Sequence, residues 1–246
     1  MRLLVTRPEP DASQLAALAA GEGHDIVLSP LTHIAHIAAP DFPHAAPSAI
    51  AFTSANGVRA LAATPPPDAM ADWTIMPAYA VGPQTGEALR QYGWTDIRVG
   101  GGNVELLAAR IMADEPDSQT HIWHIVGTHQ AGHLVSTLSE QGCRASSVRA
   151  YEAQAAQGFT ADAQAALLGG EVDGVLVYSQ RSAEIFLSLW QALTATPDGR
   201  QIARPRIFAL SPQVTGPFVD CGWQTDVAAR PDSAGMKELL RAMATA

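Results

Sequence analysis

Phe52-Thr53-Ser54-Ala55-Asn56-Gly57 returns, altered but recognisable, as Val177-Tyr178-Ser179-Gln180-Arg181-Ser182, 125 residues further along the chain. In both places a short apolar run of β character reaches a hydroxyl residue and an amphipathic helical stretch follows. Working outward, Val81-Gly82-Pro83-Gln84 resembles Leu210-Ser211-Pro212-Gln213 at an offset of 129, and Gly93-Trp94 matches Gly222-Trp223 at the same offset. A weaker pair precedes each. Leu4-Val5-Thr6, a helix and Gly23-His24 correspond to Ile125-Val126-Gly127, a helix and Gly142-Cys143. Three units, A-B-C, are therefore followed by A′-B′-C′.

The units alternate strand and helix throughout. Strands are predicted at Leu3-Val5, Ile26-Leu28, Ala49-Thr53, Ala78-Val81, Ile97-Val99, Ile122-Val126, Gly174-Tyr178, Ile207-Leu210 and Thr225-Ala228. Helices are predicted between them, among others at Ala12-Ala20, Asn56-Ala63, Pro83-Tyr92, Gln130-Gln141, Ser182-Leu193 and Ser233-Ala244. Such alternation gives an α/β fold of two similar domains, each a parallel sheet flanked by helices. Two packings are open: A-B-C against A′-B′-C′, or A with B′-C′ holding B-C-A′ as an insertion. Leu31-Thr32-His33-Ile34-Ala35-His36-Ile37 and Ser146-Ser147-Val148-Arg149-Ala150-Tyr151-Glu152 both alternate polar and apolar residues. They are expected to pair as a two-stranded linker, which favours the insertion.

Composition removes several classes of function. The 246 residues are 47% hydrophobic, enough for a sizeable core. Fifteen basic against 24 acidic residues leave a net charge of −9, which argues against nucleic acid as a partner. No apolar run has the length of a membrane span, and Met1-Arg2-Leu3-Leu4-Val5-Thr6-Arg7-Pro8 does not read as a signal peptide. Cys143 and Cys221 form no metal or redox motif, so a reducing cytoplasm is the expected location. Lys237 is the single Lys; the other fourteen basic residues are Arg. A GC-rich genome accounts for that bias, and forked recognition of carboxylates is the functional alternative.

In open parallel sheets ligands bind beyond the carboxyl ends of the strands. Here those ends read Thr6-Arg7-Pro8, Thr53-Ser54, Gly82-Pro83, Gly127-Thr128, Ser179 and Ser211-Pro212, each a small or hydroxyl residue where a helix is expected to begin. Any one of them is explained by capping, or by Pro at the first helical position. Six together form an anion-binding surface from helix N-termini, which lets an acidic protein hold a polyanion. Arg7 and Arg181, near strand ends, are further carboxylate candidates. Other motifs fail. Gly127-Thr128-His129-Gln130-Ala131-Gly132-His133 has the glycine spacing of a phosphate loop but His where Lys is needed. Gly100-Gly101-Gly102 lacks the dinucleotide fingerprint. His121, His124, His129 and His133 cluster without a carboxylate or Cys to complete a zinc site. Asp11, Asp25 and Asp41 suggest no acid/base pair, and no Gly-x-Ser-x-Gly elbow occurs. No metal and no cofactor is expected.

This ordered set resembles the uroporphyrinogen-III synthase family. The resemblance rests on Leu4-Val5-Thr6-Arg7-Pro8, Phe52-Thr53-Ser54-Ala55-Asn56-Gly57-Val58, Ala80-Val81-Gly82-Pro83-Gln84-Thr85, Ala150-Tyr151-Glu152, Tyr178-Ser179, Ser211-Pro212 with Gly222-Trp223, and the Pro231 segment. It implies the inserted packing: residues 1–33 with 153–246 as one domain, 39–148 as the other, and linker strands at 34–38 and 149–152. It also implies an activity, the closure of hydroxymethylbilane, a linear tetrapyrrole polycarboxylate, with inversion of the last pyrrole and loss of water. The expected enzyme is a cytoplasmic monomer without cofactor or metal that works by holding one folded substrate conformation. The residue carried over by motif as the proton donor to the leaving hydroxyl is Tyr151. Substrate-binding candidates are Thr6, Arg7, Ser54, Gly82, Thr85, Gly127, Ser179, Arg181 and Ser211. Many relatives carry Gly-Pro-x-Thr where this chain has Ser211-Pro212-Gln213-Val214, so the second Thr hydroxyl is missing, while Thr85 is present in the first copy. Two rivals remain. One is a non-catalytic two-domain module that closes over a small anion. The other, a methyltransferase using a nucleotide-like cofactor, is disfavoured by the absent glycine fingerprint.

Overall fold

The structure is a computed structural model and describes residues 1–64, 73–114, 120–128, 133–199 and 202–244. In chain order the elements are β1 (Arg2–Val5), α1 (Asp11–Gly21), β2 (Asp25–Leu28), β3 (Thr32–His36), β4 (Ala49–Phe52), α2 (Ala55–Ala63), a 3₁₀ turn (Trp73–Ile75), β5 (Ala78–Ala80), α3 (Pro83–Gln91), β6 (Ile97–Val99) and α4 (Val104–Asp114). They continue with β7 (His121–Gly127), α5 (Leu134–Glu140), β8 (Arg144–Ala155), α6 (Ala161–Leu168), β9 (Gly174–Val177), α7 (Gln180–Thr194), β10 (Arg206–Ala209), α8 (Pro212–Val219), β11 (Thr225–Val227) and α9 (Ser233–Ala244). The chain divides into two compact units, Met1–His33 with Gln154–Ala246, and Ile34–Ala153.

The first unit holds a parallel five-stranded sheet in the order β11-β10-β9-β1-β2. The second holds six strands in the order β3-β8-β7-β4-β5-β6. Five of these, β8 to β6 in that order, run parallel. β3 pairs with β8 antiparallel: Ile37 N–H donates to Ala150 C=O, and Ala156 N–H to Leu31 C=O. This ladder spans both points where the chain passes between units, and it is the two-stranded linker expected from the sequence. β8 is longer than that expectation. Its first residues, from Arg144, already pair with β7 before the strand reaches the linker.

Each sheet is covered on both faces, which explains why its central strands are apolar without alternation. On β1, Leu4 packs with Val175, Ile207 and Phe186, whereas Leu3 and Val5 pack on the other face with Ala12, Phe208 and Met236. On β7, Trp123 and Ile125 pack with Phe52 and Trp94, and Ile122 packs opposite with Leu107 and Leu134. The internal repeat has a structural cause. Gly93 (φ 88°) and Gly222 (φ 71°) occupy the left-handed region after α3 and α8, where only Gly is unstrained. The next residue folds back over each helix end: Trp94 N–H donates to Leu89 C=O, and Trp223 N–H to Phe218 C=O, both at 3.1 Å. Trp94 then meets Phe52 edge-on at 5.7 Å, and Trp223 meets Trp190 at 5.2 Å. Gly23-His24 and Gly142-Cys143 close α1 and α5 in the same way.

Candidate active site

Strand order reverses direction between β7 and β4 in one sheet, and between β1 and β9 in the other. Crevices at the carboxyl ends of such strands are where open α/β sheets bind ligands. In the second unit, β4 delivers Thr53 and Ser54 to that position and β7 delivers Gly127. Ser54 caps α2 by accepting from Asn56 N–H at 3.2 Å. Tyr151 joins them through a β-bulge. β8 keeps register with β7 as far as Val126 opposite Arg149, then skips Ala150 so that Gly127 faces Tyr151. A bulge turns a side chain out of strict alternation. Here it lays the Tyr151 ring on the Gly127 backbone, so a Cβ at 127 would lie 2.8 Å from Tyr151 Cε2. The chain is locked there by Thr128 N–H donating to Tyr151 C=O at 2.9 Å. The phenol is buried, and burial raises its pKa; a hydrogen bond with Ser54 offsets part of the rise. Tyr151 thus stays a protonated donor at neutral pH.

In the first unit β1 delivers Thr6 and Arg7, and β9 delivers Tyr178 and Ser179. Ser179 caps α7, accepting from Ser182 N–H at 3.1 Å, and Arg181 lies in that helix's first turn. Thr6 corrects the sequence reading. No helix starts at Thr6; α1 begins at Asp11, and the buried Thr6 hydroxyl donates to Leu176 C=O at 2.6 Å. Thr6 ties β1 to β9 and caps nothing. Arg7 is held from two sides. Its guanidinium pairs with the buried Asp11 at 2.7 Å and lies over the Tyr178 ring, 4.7 Å from the centroid. Burial pushes the Tyr178 phenol pKa up, and among the described residues its hydroxyl has no hydrogen-bond partner.

The starts of α3 and α8 differ from those of α2 and α7. Gly82 and Ser211 are their N-cap residues, Pro83 and Pro212 open the helices, and no side chain caps either one. The Ser211 hydroxyl turns instead to Gln213 Oε1 at 3.3 Å. Neither N-cap side chain therefore occupies its helix start, the arrangement that favours anion binding. Thr85 is buried in the first turn of α3.

Among the described residues, the histidines do not converge. His121 and His124 are three residues apart on β7 and so face opposite sides of the sheet. His121 lies 2.9 Å from Ser146 Oγ, His124 lies 3.0 Å from Thr53 Oγ1, and His133 pairs with Glu105. His129 lies outside the described residues, as do the following three positions of the glycine-spaced loop. Among the described residues, no three His, Cys, Asp or Glu side chains gather to hold a metal ion. No described helix is long and apolar enough to cross a membrane.

The family model described as uroporphyrinogen-III synthase HemD matches residues 13–238. The chain belongs to the uroporphyrinogen-III synthase family. Its fold is similar to two solved members. Uroporphyrinogen-III synthetase from Helicobacter pylori superposes with a TM-score of 0.63 at 16% identity, over 99% of this chain and 100% of that one. A mutant uroporphyrinogen III synthase from Thermus thermophilus gives a TM-score of 0.55 at 16% identity, over 100% of this chain and 98% of the other. No curated protein sequence matches significantly. Within this family frame, three partners escaped the sequence reading: Asp11 for Arg7, Thr53 for His124, and the Tyr151 ring for Gly127. Only the glycine left a signal, since a Gly where the other copy has Thr6 marks a close approach.

Proposed function

We propose that this chain cyclises hydroxymethylbilane to uroporphyrinogen III, as a lyase that releases water, with Tyr151 as the general acid. The observation that carries the reading is Tyr151 itself, a buried and protonated phenol bonded with Ser54 at the strand ends of a family member. The leaving hydroxyl is labile and the linear substrate closes unaided to the unrearranged isomer, so the protein's task is to hold one conformation. That conformation brings the substituted pyrrole carbon within reach of the carbon losing its hydroxyl. As the C–O bond breaks, Tyr151 O–H donates to the departing oxygen, which leaves as water. The substituted carbon bonds to the carbon that lost its hydroxyl. Its old bond to the neighbouring methylene then breaks and re-forms at the pyrrole's free α-carbon, which inverts the ring, and the proton lost from that α-carbon restores the Tyr151 phenol.

Substrate carboxylates are the ligands for the starts of α3 and α8, at Gly82 and Ser211, with Thr85 in the first turn of α3. Ser54 spends its hydroxyl on α2 and on Tyr151, and Ser179 spends its own on α7, so toward substrate they contribute through their backbones. Arg7, paired with Asp11, presents a fixed guanidinium and not a mobile one. Gly127 contributes as the floor beneath Tyr151, and Arg181 as a cation at the start of α7. Thr6 serves by joining β1 to β9. No cofactor is required in this scheme.

The second reading, a module that only binds anions, is favoured by the same helix starts. Incubating the protein with a hundredfold excess of fresh hydroxymethylbilane separates the two. An enzyme forms many equivalents of the inverted, type III isomer per protein; a binding module leaves only the unaided closure to the unrearranged isomer.

A further inference from the structure

His124 is a buried polar group that the scheme above leaves unused. It stands on β7 in register with Ala51 of β4 and Ser147 of β8, fully buried. Strand alternation puts it on the face of Ile122, which packs with Ala49, Ala51, Leu107 and Leu134. In that apolar setting Nε2 lies 3.0 Å from Thr53 Oγ1, and Nδ1 has no hydrogen-bond partner among the described residues. The duplicated unit shows what the fold alone needs there. Laying Ile125-Val126-Gly127 on Leu4-Val5-Thr6 puts His124 on Leu3, a fully buried apolar residue of the other sheet. Leu would satisfy the core, whereas His leaves a buried ring nitrogen unpaired at a standing cost. What the histidine gains is its contact with Thr53.

Thr53 immediately precedes Ser54, which caps α2 and bonds with the Tyr151 hydroxyl. Three residues beyond His124 on the same strand is Gly127, the floor of the Tyr151 ring. β7 therefore contacts Tyr151 through Gly127, and through His124 it contacts Thr53, the residue before Ser54. The geometry points to His124 as a positioning residue: by holding the Thr53 hydroxyl it fixes the turn from β4 into α2, so that Ser54 meets Tyr151. Its catalytic part rests on the reading of Tyr151 as the acid.

Four proteins test it: wild type, His124→Leu, Thr53→Val and the double variant. Each is assayed for turnover and isomer, and each is labelled with ¹³C on the tyrosine ζ-carbon; Tyr151→Phe assigns the Tyr151 resonance. His124→Leu keeps at least the wild-type melting temperature, loses about tenfold in kcat and changes KM by less than about twofold. Thr53→Val behaves alike, and the double variant falls no further than either single one, because both remove one contact. The Tyr151 resonance moves in all three variants. Wild-type turnover with an unmoved resonance overturns the inference, and so do losses that multiply in the double variant. A loss of kcat that only follows a lowered melting temperature overturns it too. If the wild-type protein yields only the unrearranged isomer, the functional reading fails; the resonance still decides the positioning. If His124→Leu does not fold, Thr53→Val carries the same expectations.

Discussion

Acid should weaken this protein earlier than its carboxylates alone would dictate, and His124 sets the size of the effect. Burial holds its imidazole well below the ordinary value of 6.5, at about 4. The unfolded chain therefore binds a proton over a range where the folded chain does not. Its contribution to stability is whole above pH 6.5 and is lost as pH falls toward 4. One pKa unit is worth about 1.4 kcal/mol, so the loss from pH 7 to pH 5 is about 2 kcal/mol and reaches about 3 kcal/mol by pH 4. The clean measurement is a difference. Urea unfolding followed by tryptophan fluorescence at pH 7, 6 and 5 is run on wild type and on His124→Leu, which removes the titrating group and keeps an apolar core. His121, also pushed down by burial and by Arg144, contributes to both proteins and cancels. The stability of wild type relative to the variant should fall by about 2 kcal/mol between pH 7 and pH 5. Parallel profiles would refute the claim that His124 is buried and neutral.

Three substitutions test other parts of the structure. Gly127→Ala puts a methyl group 2.8 Å from the Tyr151 ring; a folded protein by circular dichroism with turnover reduced about tenfold or more is expected, and wild-type turnover would contradict the contact. Gly174→Ala places a Cβ 2.2 Å from Phe208 Cε2 in the core of the first unit, so thermal melting should report a loss of about 1–3 kcal/mol, and an unchanged melting temperature would contradict that packing. Tyr151→Phe keeps the ring on Gly127 and removes only the donor. Turnover should drop about tenfold to hundredfold with the type III isomer still formed, and wild-type turnover would move the acid role elsewhere.

Much of this architecture is legible in the sequence because the chain states it twice. The Gly-Trp pairs, the hydroxyl residues after β4 and β9, and the Pro residues opening α3 and α8 each encode a local geometry that does not depend on distant neighbours. The two linker strands are legible from their alternation, although β8 runs further into the sheet because Val148 and Ala150 also suit a buried edge. What the sequence hides is pairing across the fold. Thr6 has the composition of a cap, yet the start of α1 lies at Asp11 and the hydroxyl finds Leu176 instead. Arg7 resembles a free carboxylate ligand until Asp11 and Tyr178 are seen around it. The bulge at Ala150 shifts Tyr151 by one register position, and no composition rule announces such a shift. In the sequence His124 belongs to a loose histidine cluster; only strand alternation and its burial separate it from His121.

The most direct measurement asks whether this chain steers ring closure to the inverted isomer through its own residues. Freshly made hydroxymethylbilane is mixed with protein pretreated with a chelator, the products are oxidised to porphyrins, and the type I and type III isomers are separated by chromatography against a protein-free control. Predominantly type III is expected, at a rate well above the control and undiminished by the chelator. Type I alone at the control rate would contradict the proposed activity.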